Sequence, residues 1–354
     1  MWKNETAKRL QVRYPIIQAP MAGGVTSTSL VSAVSNAGCL GMIGAGYMSA
    51  EQLQEQIREV KALTENPFGV NLFIPGRYMT TDEKVALSNR LLDPLKKELS
   101  VHEKTTNLPT AEKDYDNFAN QLKVILDEGV PVCSFTFGIP SEEVIGQLKQ
   151  ANVTVVGTAT TVKEAILNEK AGMNVVVVQG SEAGGHRGTF EESSEGSMIG
   201  LMSLVPQVVD QVNIPVIAAG GIMDGRGIKA SFCLGAQGVQ MGTAFLTCEE
   251  SGANELHKKE ILKATEDQTV ITKAFSGKAA RGIQNDFIET MKAYEDSLPA
   301  YPVQNTLTKG IRKAAATQGK PAYMSLWSGQ SPRLSKNQSV DELITGIVAQ
   351  AESI

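Results

Sequence analysis

The stretch VVVVQGSEAGGHRGTF, from Val175 to Phe190, decides the fold, because an apolar run passes directly into a glycine-rich loop with a histidine at its centre. Four consecutive valines must be buried on both faces, which is typical of a strand in a parallel sheet covered by helices. The loop has glycine at positions 180, 184, 185 and 188, so the main chain can approach a ligand where the strand ends. The segment therefore predicts a buried parallel strand with a ligand-binding loop at its carboxyl end.

Short apolar runs of the same kind recur along the chain, and most neighbours are separated by a segment with helical periodicity, such as residues 29–38 and 141–151. The runs are PIIQAP (15–20), CLGMIGAG (39–46), FGVNLF (68–73), VPVCSFTFG (130–138), NVTVVGTAT (152–160), NVVVVQG (174–180), IPVIAAGGI (214–222) and GVQMGTAFL (238–246). Alternating strands and helices indicate an α/β fold with a parallel sheet.

Eight such units predict a (β/α)8 TIM barrel. The alternative is an open doubly wound sheet, whose dinucleotide fingerprint GxGxxG opens the first helix. That fingerprint is missing after the first run, and its nearest approach, GCLGMIGAG, lies within the second. The barrel is therefore favoured.

Two stretches do not fit the repeat. Residues 74–129 form an insertion after the third strand, and residues 247–354 hold more than a single closing helix. Neither contains a low-complexity segment or a Gly/Ser linker. We therefore expect one domain over residues 1–354, with the insertion and residues 247–330 as cap- or lid-like segments over the face where the strands end.

Bulk composition excludes several classes of function. The chain has 42% hydrophobic and 20% charged residues, and its net charge of -5 gives no reason to expect nucleic acid or an anionic membrane as a partner. The N-terminus lacks the apolar region of a signal peptide, and no apolar run reaches the roughly 18 residues of a membrane span. The four cysteines show no CxxC spacing, so neither a disulfide nor a metal site is expected. These observations predict a cytoplasmic protein.

His186 is the strongest candidate for a catalytic group, since an imidazole transfers protons near neutral pH. The chain has three histidines, and the other two, His102 and His257, lie in the charged contexts SVHEKT and ELHKKE. We expect those two to be solvated at the surface. The alternative that His186 only holds its own loop together by hydrogen bonds stays open.

The seventh and eighth runs end in AAGGI (218–222) and QMGTAF (240–245). Phosphate often binds after the last two strands of a TIM barrel, where glycine N–H groups can surround a compact anion. Thr243 adds a hydroxyl group. The two strand ends together predict a phosphate site.

Neutral amides at other strand ends point to a flat heterocycle. Asn71 lies in the third run and Gln179 closes the sixth, while the first run continues into QAPMAGG (18–24). Amides that both donate and accept suit the edge of an isoalloxazine ring, although Asn71 could instead satisfy buried backbone. Phosphate cup, amides and histidine together predict FMN as the cofactor.

Five segments resemble the nitronate monooxygenase family, formerly called 2-nitropropane dioxygenases. They are QAPMAGG (18–24), EAGGHRG (182–188), PVIAAGGI (215–222), QMGTAF (240–245) and LPAYPVQNTLTKGIRKAA (298–315), the last resembling the C-terminal signature of the bacterial class I enzymes. The resemblance implies an FMN-containing barrel that oxidises alkyl nitronates, such as propionate 3-nitronate, with O2 to a carbonyl compound and nitrite. No partner other than these small molecules is implied.

The resemblance also assigns residues. His186 is the implied active-site histidine, which removes a proton from a neutral nitroalkane or orients a nitronate. The implied FMN contacts are Met21, Asn71, Gln179, Gly184, Gly221, Gln240, Met241, Gly242 and Thr243. Tyr301 and Lys309 are expected to close the pocket and favour an anionic substrate, whereas Asn305 receives no role. Trp327 and Gln330 lie by the flavin or are ordinary packed residues.

Two other functions compete with this one. A flavin-dependent enoyl-ACP reductase also carries a Gly-Gly-His loop and would use NAD(P)H. A non-catalytic flavin-binding barrel would bind FMN without turnover. The insertion and the Tyr-Pro-Val-Gln-Asn segment favour the nitronate-oxidising enzyme.

Overall fold

An eight-stranded parallel barrel forms the centre of the computed structural model, which describes residues 1–76, 78–102, 107–191 and 195–354. The strands, in chain order, are β1 Ile16–Gln18, β2 Gly41–Gly44, β3 Phe68–Phe73, β4 Val132–Thr136, β5 Thr154–Ala159, β6 Val175–Gln179, β7 Gly185–His186, β8 Val216–Ala219, β9 Gly238–Met241, β10 Thr269–Thr272 and β11 Ala280–Ile283. The barrel order is β1-β9-β8-β6-β5-β4-β3-β2, and β10, β11 and β7 form a separate antiparallel sheet. A parallel bridge between Ile17 and Leu40 joins β1 to the start of β2 and closes the barrel.

Helices surround the barrel and cover its carboxyl-terminal face. They are α1 Glu5–Leu10, α2 Thr28–Asn36, α3 Ala50–Leu63, α4 Asp82–Glu98, α5 Ala111–Asp127, α6 Glu142–Gln150, α7 Val162–Lys170, α8 Leu201–Val209, α9 Gly225–Cys233, α10 Thr243–Leu246, α11 Glu255–Lys263, α12 Asp286–Met291, α13 Val303–Thr317 and α14 Val340–Ser353. Short 3-10 turns lie at Glu266–Gln268, Lys292–Ser297, Pro321–Tyr323 and Pro332–Leu334. Within the described ranges, none of the helices combines the length and the apolar character that crossing a bilayer requires.

The predicted TIM barrel is confirmed, and each apolar run contains one barrel strand. The eighth run extends beyond its strand, because residues 243–246 form helix α10. Gly242 leaves the extended conformation at φ -107° and ψ -71°, so the chain turns into the helix directly after β9.

The four valines of β6 explain why this strand needs an unbroken apolar run. Val175 and Val177 pack inside the barrel in a cluster with Ile17. Val176 and Val178 point the other way and pack in the cluster that contains helix residues such as Leu204. All four are at most 3% exposed, so both faces of the strand are buried as the sequence indicates.

The two irregular stretches contribute differently to the structure. Helix α5 of the 74–129 insertion packs on α3 and β3, whereas α4 packs against α13 on the covered face. Residues 77 and 103–106 of the insertion lie outside the described residues. At the end of the chain, α14 packs against α9 and α2 and so completes the ring of helices around the barrel. The segment between α10 and α14 is thus inserted before the last barrel helix.

The seam between α9 and α14 is expected to tolerate no added side chain. A Cβ atom at Gly225 would lie 2.4 Å from the backbone nitrogen of Ala351, so Gly225→Ala must displace α14. We expect a loss of about 1–3 kcal/mol in the free energy of unfolding, measured by urea denaturation. The control is Gly346→Ala on α14, where an added Cβ meets nothing within 4 Å. That exposed substitution should stabilise the protein by roughly 0.5–1 kcal/mol, and equal effects from both would contradict this account of the seam.

Candidate active site

A cavity of about 1540 Å³ opens at the carboxyl ends of the barrel strands. Almost all the residues that the sequence analysis singled out for the site line it, namely Met21, Asn71, Gln179, Gly184, His186, Gly221, Gln240, Gly242, Thr243, Tyr301 and Lys309. Met241 is different, because side chains alternate along a strand and its own is 1% exposed in the core cluster behind the barrel wall. Gln330 does not line the cavity either, whereas its neighbour Trp327 does.

The loop that carries His186 is held by a buried arginine. Arg187 has no exposed surface, and its guanidinium donates hydrogen bonds to the carbonyl groups of Gly180 (2.7 Å), Gln179 (3.0 Å) and Ser197 (2.7 Å). Burial lowers the pKa of Arg187 to about 10, which leaves it charged at neutral pH. The guanidinium of Arg187 therefore holds the end of β6 and the loop together.

A buried carboxylate holds the other side of the same loop. Glu164 accepts hydrogen bonds from the backbone N–H groups of Phe190 (2.7 Å) and Glu191 (3.0 Å) and from both the backbone and the hydroxyl group of Thr160. Burial by itself would raise the pKa of Glu164, but these hydrogen bonds outweigh it and lower the pKa. The carboxylate therefore stays ionised and can keep the loop in place.

The side-chain amides of Gln179 and Asn71 form hydrogen bonds within the protein. The Gln179 side chain accepts from the N–H of Gly188 at 2.8 Å and donates to the carbonyl of His186 at 3.1 Å, so it ties the loop back onto β6. Asn71 donates to the hydroxyl groups of Ser134 (2.9 Å) and Thr136 (3.1 Å) across β4. Both side chains still border the cavity, with part of their hydrogen-bonding capacity already used.

Ser276 determines which ring nitrogen of His186 carries the proton. Its hydroxyl oxygen lies 2.8 Å from Nε2 of His186, and its hydroxyl proton is donated to the carbonyl of Lys278 at 3.0 Å. A hydroxyl group has one proton, so the oxygen must accept from Nε2–H. We infer the Nε2–H tautomer from this network. Nδ1 then keeps its lone pair, and no hydrogen bond from another described residue reaches it.

Aromatic rings enclose the imidazole of His186. The ring centroids of Trp327, Tyr301 and Phe137 lie 5.5, 5.7 and 6.0 Å from that of the histidine. Burial is the main cause that lowers the pKa of His186 to about 3, and the positive charges of Lys278 and Arg312 lower it further. The ring is therefore neutral throughout the physiological range, and Nδ1 carries a lone pair.

His257 was predicted to be solvated, and this prediction is wrong. It is 7% exposed, lines the cavity, and places Nε2 2.9 Å from the carbonyl oxygen of Trp327. Burial lowers its pKa to about 4. The charged sequence ELHKKE does not indicate exposure here, because one face of helix α11 packs inward. Even Lys258 on this helix is only 6% exposed.

The glycines after β8 and β9 form a group of free donors. In the described parts of the chain, the N–H groups of Gly220, Gly221, Gly242 and Thr243 make no hydrogen bond to another residue. The hydroxyl oxygen of Thr243 accepts from the N–H of Gly329 at 2.9 Å, which leaves its own proton available to a ligand. This glycine cup (Gly220, Gly221, Gly242, Thr243) has the donors and the open space that a phosphate group requires.

Positive charge also lines the cavity. Four cationic residues border it, namely Lys278, Lys309, Arg312 and Lys313, and Asp114 is the acidic residue in the described lining. The Lys278 ammonium lies 4.8 Å from the centre of the Phe137 ring and donates to the carbonyl of Thr189, and burial lowers its pKa to about 8. Among the described residues, no cluster of three or more His, Cys, Asp or Glu side chains could hold a metal ion.

Sequence reasoning missed Ser276, Lys278, Arg312 and Phe137. The first two lie on a connection between β10 and β11, about 90 residues from His186 in the chain, and no local pattern marks them. Phe137 does carry a signal, because it follows a strand and precedes glycine in FTFG. Its φ of 73° is unusual for a bulky residue and marks a constrained position at the cavity wall.

The chain is similar along its whole length to proteins of one family. The family model described as nitronate monooxygenase matches residues 4–350. A protein of Staphylococcus haemolyticus named "Probable nitronate monooxygenase" is 53% identical over 100% of this chain and 99% of its own length. Nitroalkane oxidase from Streptomyces ansochromogenes is similar in structure, with a TM-score of 0.89 and 39% identity over 99% of this chain and 98% of that one. FabK from Thermotoga maritima has a TM-score of 0.78 and 31% identity over 100% and 97% of the two chains.

The tautomer of His186 can be read directly. Because the folded pKa is about 3, ¹⁵N spectra of the ring at pH 6 should show a neutral imidazole protonated at Nε2. Ser276→Ala removes the acceptor, so its spectrum should show a larger share of the Nδ1–H form. The control is Ser203→Ala, at an exposed position on α8, which should leave the spectrum unchanged. An imidazolium signal at pH 6, or the same tautomer in Ser276→Ala, would contradict the assignment.

Proposed function

The chain belongs to the nitronate monooxygenase family of flavin-dependent oxidoreductases, and we propose that it oxidises alkyl nitronates of the propionate 3-nitronate type with O2, using FMN. The products of the proposed reaction are a carbonyl compound and nitrite. One observation carries the proposal: the neutral imidazole of His186 lines the same cavity as the cations Lys278 and Arg312 and the glycine cup. A cytoplasmic location and a single FMN-binding domain remain predictions from the sequence.

The residues present fit FMN. The glycine cup supplies free N–H groups for the phosphate, and Met21, Gln179, Gly184 and His186 line the same cavity. Gly184 is needed for close packing, since a Cβ atom there would lie 2.6 Å from the nitrogen of Gly329. A bound flavin would supply the redox chemistry, taking electrons from the nitronate and passing them to O2.

His186 is proposed to act on the substrate as a base. In the Nε2–H tautomer, Nδ1 can take the α-proton of a neutral nitroalkane, but it cannot donate a hydrogen bond to an anion. Orientation of a preformed nitronate therefore requires His186 to be protonated. An anion beside the ring favours this, because a nearby negative charge raises the pKa of a histidine. Tyr301 and Lys309 are proposed to border the same substrate region.

A flavin-dependent enoyl-ACP reductase is the competing function. Nitroalkane oxidase from Streptomyces ansochromogenes is more similar to this chain than FabK from Thermotoga maritima, both in identity (39% against 31%) and in TM-score (0.89 against 0.78). This difference supports nitronate oxidation. The two functions differ in the electron donor, which makes them easy to separate.

FMN retention should depend on the glycine cup. Gly242 has a negative φ, and a Cβ atom there would make ordinary contacts at 3.6 Å with Ala19, so Gly242→Val should fold. Its side chain would crowd the phosphate, and we expect the flavin content of the purified protein to fall at least about 10-fold. The control is Gly76→Val, at a cavity-lining glycine where a Cβ meets nothing within 4 Å. An unchanged flavin content in Gly242→Val would exclude the cup as the phosphate site.

Oxygen uptake tests the reaction itself. The FMN-loaded protein should consume O2 with propionate 3-nitronate and should not be reduced rapidly by NADPH. His186→Asn should keep its FMN and lose turnover, by roughly 100-fold or more with neutral nitroalkanes because these need a base. The loss should be smaller with preformed nitronates.

Two results would overturn this proposal. Rapid bleaching of the flavin by NADPH, with no oxygen uptake on the nitronate, would assign the protein to the reductases. Normal kinetics of His186→Asn on both forms of the substrate would remove the proposed role of the histidine.

A further inference from the structure

Lys278 is an enclosed cation that lines the cavity. Its ammonium group donates a hydrogen bond to the carbonyl of Thr189 at 3.0 Å and lies 4.8 Å from the centre of the Phe137 ring. Within the ranges that the structure describes, no ion pair includes this lysine and its ammonium makes no further hydrogen bond. An ammonium group has three protons, so two of them are left for a ligand in the cavity.

The carboxylate that acts on Lys278 through space is already occupied by other groups. Oε2 of Glu164 accepts from the N–H and hydroxyl groups of Thr160, and Oε1 accepts from the hydroxyl of Thr189 and the N–H of Phe190. Burial lowers the pKa of Lys278 to about 8, although the charge of Glu164 acts in the opposite direction. The ammonium group is thus largely charged at neutral pH and has lost water without a direct counter-ion, which is costly. A negative charge beside it would offset this cost.

This ammonium group lies on the side of the cavity where β4, β5 and β6 end. Its ring contact, Phe137, directly follows β4. Its hydrogen-bond acceptor, Thr189, follows Gly188, whose N–H donates to the side chain of Gln179 on β6 at 2.8 Å. A Cβ atom at Gly188 would lie 2.8 Å from the side chain of Thr158 on β5. The ammonium group and the amide of Gln179 therefore share one side of the barrel mouth.

The glycine cup lies across the barrel from this side. The cup follows β8 and β9, and the strand order of the closed barrel places β4 four strands from β9 in either direction. Strand β3 is opposite β8 in the same way, and its Asn71 donates to the hydroxyl of Thr136 on β4 at 3.1 Å. FMN is elongated, with its phosphate at one end and the pyrimidine edge of its ring at the other. With the phosphate in the cup, a ring that extends across the barrel mouth would end beside Asn71 and Lys278.

We propose that Lys278 stabilises the negative charge that the pyrimidine edge of a bound flavin acquires on reduction. The proposal rests on the proposed function, because it takes FMN as the cofactor. Each electron that the flavin accepts adds negative charge, which lies chiefly at N1 and the C2 carbonyl oxygen. A cation close to N1 favours the reduced form and so raises the reduction potential of the flavin. The negative charge in turn favours the protonated form of Lys278.

The other cations of the cavity are less suited to this role. Lys309 and Lys313 are exposed on α13, so water and salt screen their charges. Arg312 lies on the same helix, and its Nη2 donates to the backbone and side-chain oxygens of Asn305. Helix α13 packs against α4 on the covered face, whereas Lys278 contacts groups at the ends of the barrel strands.

The midpoint potential of the bound FMN tests this charge directly. Dithionite supplies two electrons and water supplies one proton, which turns the neutral flavin into an anion, and the potential is read against a reference dye at pH 7. Lys278→Met removes the charge and should shift the equilibrium toward oxidised flavin by about 10-fold or more, or roughly 30 mV for two electrons. Lys278→Gln is also uncharged but can still donate to the carbonyl of Thr189, and it should show the same fall. Lys278→Arg keeps the charge and should lose less.

Sulfite binding gives a second readout on the FMN-loaded protein. The lone pair of the sulfite sulfur forms a bond to N5 of the flavin, which leaves a negative charge at N1. The Kd for sulfite should rise by about 10-fold or more in Lys278→Met and Lys278→Gln. The control is Lys273→Met, which removes a lysine of the same connection that pairs with Asp296 at 2.8 Å outside the cavity lining, and it should change neither quantity. Flavin content and melting temperature are recorded for each variant, and Lys278→Gln keeps the test valid if Lys278→Met does not fold.

Unchanged potentials and sulfite affinities in both uncharged variants would overturn the proposal. A fall in Lys278→Met alone would assign the effect to the hydrogen bond with Thr189 instead of the charge, and would overturn it as well. Neither measurement uses a nitronate. A parent protein that binds FMN but does not oxidise nitronates would therefore contradict the proposed function, whereas the potentials would still decide the role of Lys278.

Discussion

The charge of one buried arginine organises this site. Arg187 lies next to His186 and donates to three backbone carbonyl groups, two of them at the end of β6. A glycine-rich segment has little side-chain packing of its own, so its shape must come from hydrogen bonds. Glu164 accepts a hydrogen bond from the N–H of Phe190 at the far end of the loop, and Gln179 accepts one from the N–H of Gly188. The histidine can therefore stand at a defined place on a backbone that is otherwise free to vary.

Two kinds of group that favour anions line the cavity. The N–H groups of four described residues after β8 and β9 remain without partners within the chain, which suits a phosphate group. Lys278 and Arg312 act on a histidine that burial keeps neutral. The same two cations that lower the pKa of His186 would attract an anionic substrate. Arrival of that anion would then bring the imidazole closer to protonation, so substrate binding and proton affinity are coupled.

The region between α10 and α14 turns a common barrel into this particular site. It supplies Ser276, which selects the tautomer of His186, and Arg312, whose guanidinium has no carboxylate partner among the described residues. It also supplies β11, which pairs with β7 at the histidine itself. The loop that carries His186 is thus a strand of a second small sheet as well as the continuation of a barrel strand. The segment that follows barrel strand β6 and the inserted region therefore meet in one pair of strands, β7 and β11.

The sequence by itself determined the repeated strand and helix pattern, the buried character of Val175 to Val178 and the glycines at the strand ends, because these depend on local periodicity and residue size. It also singled out His186, since an ionisable ring among glycines directly after a buried strand stands where a TIM barrel binds its ligands. Only the tertiary structure decided the proton position on His186, the burial of His257 and the place of the Arg312 charge in the cavity wall. Each of these depends on a contact between distant parts of the chain, such as the 90 residues between His186 and Ser276 or the 70 between His257 and Trp327. Such contacts form when the inserted region packs over the barrel, and no local pattern in the sequence encodes them.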